Sequence, residues 1–125
     1  MKKLSYLIML VFFVGFSCQQ EAEEPTFEAC GVQNPVKELA WLAERIASIE
    51  SPGLSSRSFI TQADYNEETI FIMKICCPNC NTVISAYNCE GTLLGVVGNN
   101  SEIDPVLIRN ERIIWEPSNF DCSDL

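Results

Sequence analysis

The chain has 125 residues, 17 of them acidic and 8 basic, for a net charge of −9, and 47 % are hydrophobic, enough for one domain with a modest core. So acidic a surface repels phosphate backbones and anionic headgroups, which excludes nucleic-acid binding and a basic membrane-docking face. There is no histidine; a Ser-His or Cys-His nucleophile is therefore excluded, the commonest metal ligand is missing, and no carboxylate pair stands out from the acidic background.

Residues 1–17 read as an export signal. Lys2 and Lys3 supply its positive start, and 4–16 is an apolar run too short to span a bilayer as a helix. Val14-Gly15-Phe16-Ser17-Cys18 resembles a bacterial lipobox, with Phe16 departing from the usual small or aliphatic residue. On this reading the chain is cut before Cys18, and acyl chains on Cys18 hold it to a lipid bilayer at about 0.8 kcal/mol per buried CH₂. Removal of the signal leaves 108 residues with 6 basic and 17 acidic side chains, a net of −11. The acidic segment behind the cut makes 18–29 a flexible tether. Its position directly after Cys18 resembles a surface-export signal of Bacteroidota lipoproteins, so the expected location is the outer membrane, facing the periplasm or the cell surface. The expected single domain covers 30–125.

The first packed element is a helix over 35–50. Asn34 suits its N-cap and Pro35 its first position, where a missing N–H costs nothing. Val36, Leu39, Ala40, Ala43, Ile46 and Ala47 recur at helical spacing as one apolar stripe, widened by Leu42 and Ile49. Ser51-Pro52-Gly53 stops the helix. On one unbroken helix Trp41 projects from nearly the opposite face, beside Arg45. It is either an exposed contact for a partner or a ring covered by the segment around Phe27 and Cys30.

The period then changes to two. Strands are expected over 59–65, 69–76, 82–89, 93–97 and 112–115, joined by turns at Asn66-Glu67-Glu68, Pro78-Asn79 and Glu90-Gly91. Over 69–76 both faces are largely apolar, which marks a central strand. Asp104-Pro105 opens one helical turn or a loop. Short connections imply antiparallel pairing. The expected fold class is α+β: one N-terminal amphipathic helix packed on a four- or five-stranded antiparallel meander.

Assigning Cys18 to lipid leaves Cys30, Cys76, Cys77, Cys80, Cys89 and Cys122, an even number in an exported domain, which points to disulfides. The cluster Cys76-Cys77-Pro78-Asn79-Cys80 falls at a hairpin turn, at the far end of the hairpin from Cys89. The turn cysteines are thus expected to bond Cys122, Cys30 or each other, and Cys89 to bond Cys30 or Cys122. Two other chemistries use the same residues. Cys77-Pro78-Asn79-Cys80 has the C-x-x-C form of dithiol oxidoreductases, although those place the first cysteine at a helix N-terminus and Val83, Ile84 and Tyr87 favour a strand here. A structural zinc knuckle would need Cys76 or Cys89 to complete four ligands.

Cys30-Gly31-Val32-Gln33-Asn34-Pro35, followed by Leu39-Ala40-Trp41-Leu42, resembles the start of a group of small uncharacterised Bacteroidota lipoproteins. In these a Cys-Gly-Val/Asn-Pro segment leads into a Trp-Leu helix. The Cys-Pro turn, Tyr87-Asn88-Cys89-Glu90-Gly91 and Ile113-Ile114-Trp115 are similar to the pattern too, while Ala40 stands where proline is expected. The resemblance implies an exported lipoprotein domain and carries no activity with it. The expected function is a non-catalytic, disulfide-stabilised binding domain for a protein or glycan partner, with no cofactor and no metal. The alternatives are an envelope thiol-disulfide oxidoreductase and a zinc-knuckle domain.

Overall fold

A computed structural model describes residues 27–50, 55–77 and 80–123. The expected signal, Cys18, most of the tether, the helix stop at 51–53 and the Pro78-Asn79 turn lie outside the described residues. The fold is α+β: a five-stranded antiparallel sheet with short helical segments. Among the described residues no helix is long and apolar enough to cross a membrane.

The strands are β1 (Ser58–Tyr65), β2 (Glu68–Ile75), β3 (Ser85–Tyr87), β4 (Leu93–Val96) and β5 (Arg109–Trp115). Their spatial order is β4-β3-β2-β1-β5. The first four form the expected meander. The last does not extend it: the chain leaves β4, crosses the sheet and pairs β5 antiparallel to β1 at the other edge. β2 is central, in keeping with its two apolar faces. β1 and β2 join through a two-residue turn in which Asn66 and Glu67 both have positive φ (50° and 67°), the mirror-type turn whose twist suits a hairpin. β3 is shorter than expected, because 80–84 form no regular structure before Ser85.

The expected helix over 35–50 is two pieces, α1 (Pro35–Glu38) and α2 (Ala40–Glu50). Asn34 caps α1 as anticipated: its side chain accepts from the Lys37 N–H, and Glu38 reaches back to the Asn34 N–H at 2.9 Å. Leu39 then swings to ψ 107° and closes the turn with its N–H on the Pro35 carbonyl. The break re-phases α2 relative to α1. Ala40, Ala43 and Ala47 of the expected stripe are exposed, and α2 buries Leu42 and Ile46 with Ile49 partly covered. The larger side chains gain more from leaving water, so they set the buried face.

One core forms between α2 and the sheet: Leu42 and Ile46 meet Ile60, Phe71 and Ile114. Ala29 is buried in this core, and Phe27 packs against it under the Arg112 guanidinium. The packed fold thus takes in Phe27–Ala29, which the expected boundary at Cys30 left to the tether. On the other face Ala63, Ile70, Ile72 and Ala86 are covered by Ile103 from the β4–β5 crossover. That crossover also protects the β4 edge. The Ile103 N–H bonds the Val96 carbonyl and the Glu102 carboxylate accepts the Val96 N–H, so these edge groups are filled within the chain. Asp104 caps the next 3₁₀ turn, Pro105–Leu107, by accepting from the Val106 N–H.

Candidate functional site

The six cysteines of the described domain form three disulfides: Cys30–Cys89, Cys76–Cys122 and Cys77–Cys80. Cys89 meets Cys30, one of its two expected partners. The turn cysteines meet Cys122 and each other. Cys76 and Cys89, either of which a zinc knuckle would need, are both held in other pairs. Among the described residues no three His, Cys, Asp or Glu side chains gather to hold a metal ion.

Cys30–Cys89 closes a corner built around Trp41. The indole N–H donates to the Cys89 carbonyl at 2.8 Å. The ring meets Phe71 edge-on at 5.6 Å and Tyr87 at 5.9 Å, while Arg45 lies over the Tyr87 ring. Asn88 shapes the adjoining loop, its side-chain oxygen accepting from the Glu90 and Thr92 N–H groups. Gly91 adopts φ 78°, and a Cβ there would come within 2.6 Å of the Trp41 ring. Trp41 is therefore half-buried and serves as the floor of this loop. It flanks the buried face of α2 instead of opposing it, because Leu42 and Ile46 form that face and Ala40, Ala43 and Ala47 do not.

Cys76–Cys122 ties the end of β2 to the C-terminal segment. Cys76 is 5 % exposed and its sulfur lies 3.3 Å from the Arg57 carbonyl oxygen. Cys77–Cys80 is different in kind. It spans three residues, its cysteines are half-buried and exposed respectively, and Cys80 N–H bonds the Cys77 carbonyl at 3.3 Å. The strand expected from Thr82 starts only at Ser85, and 81–84 are irregular.

A groove that sequence reasoning missed lies where the crossover passes over the sheet. It encloses about 400 Å³ between Ile84, Val97, Pro105 and Ile108, with Asn99 at its margin and Lys74 and Glu111 on the strand side. Lys74 on β2 pairs with Glu111 on β5, and the buried Thr61 hydroxyl on β1 donates to the same Glu111 oxygen at 2.7 Å. Burial pushes the Glu111 carboxyl up, but the hydrogen bonds from Lys74 and Thr61 and the charge of Lys74 outweigh it and hold the group below its ordinary value. Apolar walls with a few fixed polar groups are the usual make-up of a small-ligand site.

Comparison of the chain with protein families, with curated proteins and with solved structures finds no match.

Proposed function

We propose that the chain is a cell-envelope lipoprotein, held to the outer membrane by acyl chains on Cys18, whose domain binds a ligand non-catalytically in the groove under the β4–β5 crossover. The groove is the observation that carries this reading. Its walls offer Ile84, Val97, Pro105 and Ile108, and its floor a fixed ammonium and carboxylate. A ligand with an apolar face and hydrogen-bonding groups at its rim, as on a sugar ring or a peptide turn, satisfies both parts. The three disulfides suit a small domain working outside the cytoplasm, where thiols oxidise. The lipobox-like segment and the likeness to small Bacteroidota lipoproteins support the anchor.

Two experiments test it. Cells fed a labelled fatty acid are expected to label the full chain but not Cys18→Ser; labelling of the variant overturns the anchor. The full chain in detergent is expected to bind a member of a glycan or envelope-protein panel, with at least tenfold weaker binding for Lys74→Ala. Unchanged affinity in that variant places the ligand elsewhere, and no binding across both panels overturns the binding reading.

A further inference from the structure

We propose that Cys77–Cys80 is an exchange site that accepts two electrons from an incoming dithiol while the rest of the domain stays folded. The proposal stands apart from the groove and rests on how the three disulfides differ.

Access separates them first. Cys80 is exposed, whereas Cys76 is buried at the end of β2 beside the Arg57 carbonyl, and Cys30 and Cys89 are packed against the helix-side core. An attacking thiolate must approach one sulfur along the line of the S–S bond. Cys80 is the exposed cysteine of the six and offers its sulfur without opening the core, whereas Cys30, Cys89 and Cys122 are half-buried and Cys76 is buried.

What each bond holds separates them second. Cys30–Cys89 and Cys76–Cys122 join segments 59 and 46 residues apart, so breaking either frees a long loop. Cys77–Cys80 joins residues three apart, already drawn together by the Cys80 N–H to Cys77 carbonyl bond, with Cα atoms 5.2 Å apart. Its reduction releases little chain, and re-oxidation needs little search.

The surroundings also set the direction. Of the two sulfurs, that of Cys80 belongs to an exposed residue and that of Cys77 to a half-buried one, and bonded to each other neither is a free thiolate. The pair therefore receives an attack and does not begin one. The thiolate of an incoming dithiol bonds Cys80 Sγ, and Cys77 Sγ leaves as a thiolate that takes a proton from water. The second thiol, as its thiolate, then attacks the dithiol's own sulfur in the mixed disulfide. Cys80 leaves and is protonated in turn. The dithiol ends as a disulfide, and Cys77 and Cys80 end as two thiols.

The test uses the oxidised full chain, titrated with dithiothreitol, alkylated and mapped by peptide mass. Cys77 and Cys80 are expected to be labelled at a dithiothreitol concentration at least tenfold below that needed for Cys30, Cys76, Cys89 and Cys122, with near-UV circular dichroism unchanged. Simultaneous labelling of all six, or earlier labelling of another pair, overturns the proposal, as does loss of tertiary signal in step with Cys77 and Cys80. A second arm uses glutathione, which cannot complete the exchange intramolecularly. The trapped adduct is expected on Cys80, and an adduct confined to Cys77 refutes the assigned direction. Folded Cys77→Ser/Cys80→Ser protein is expected to consume no dithiothreitol in the low range; undiminished consumption overturns the assignment to this pair.

Discussion

The two faces of the sheet are built to different ends. The helix side is closed: Leu42, Ile46, Phe71 and Ile114 interlock, Trp41 floors the Cys89–Gly91 loop, and Cys30–Cys89 ties the N-terminal segment over it. The crossover side has smaller residues, Ala63 and Ala86 among its isoleucines, and its cover is the β4–β5 crossover, which leaves a groove beside Lys74 and Glu111. A continuous packed layer supplies stability, and a thin cover over small side chains leaves an open groove. The same sheet can do both only because β2 is apolar on each side, so neither face depends on the other for its core.

If the helix side carries the stability, its staple gives the largest effect. Replacing Cys30 and Cys89 together by alanine frees a loop of 59 residues and is expected to cost on the order of 4 kcal/mol, read from urea unfolding of the oxidised protein. A loss under 1 kcal/mol would mean that packing alone holds this face. Next comes Trp41→Ala, which removes the ring beneath Gly91, its contacts with Phe71 and Tyr87, and the donor to Cys89. The expected cost is about 3 kcal/mol. A thermal midpoint equal to that of the parent would show the corner to be surface decoration and break the contrast.

The contrast was only partly legible in the sequence. Alternation over 69–76 is apolar on both sides, so the central place of β2 could be read from local pattern. The Cys89 pairing was narrowed because a hairpin turn cannot reach its own far end. The break at Leu39 was not legible: leucine favours helix, and only the fixed cap formed by Asn34 and Glu38 together with core packing shows where the turn ends. The place of β5 depends on pairing with a strand some fifty residues earlier, as in Gln62 opposite Arg112, and no local period encodes such a choice. The groove was hidden for the same reason. Thr61, Lys74 and Glu111 lie on three strands and form no spaced motif, so only the order of the sheet brings them together.

On the crossover face the expected effects are smaller. Ile103→Ala removes the buried residue through which the crossover covers Ala63, Ile70, Ile72 and Ala86, and is expected to cost about 2 kcal/mol, less than the Trp41 truncation. Hydrogen exchange sharpens the point. Protection is expected to fall at Val96 and Val97, which lie alongside Ile103, and to stay unchanged in α2. Loss of α2 protection to the same extent would show that the two faces unfold as one unit.

The smallest expected effect belongs to Glu111, and its sign is set by the groove. Although burial alone would raise its pKa, Lys74 and Thr61 lower it below the ordinary 4.5. A carboxyl depressed on folding binds its proton more weakly in the folded state than in the unfolded one, so its contribution is fully present above the unfolded value. That contribution declines as pH falls through the folded value. Because the Lys74–Glu111 pair remains partly open to water, less than about 1 kcal/mol is at stake. Glu111→Gln is expected to remove this part of the acid-side slope while keeping an acceptor for Thr61, and to leave the helix-side core intact. Parallel stability–pH curves for parent and variant between pH 3 and 6 would mean that the pair contributes nothing to folding. The ammonium and carboxylate in the groove would then be held there by the strands alone, with no stabilising role that a ligand would have to compete against.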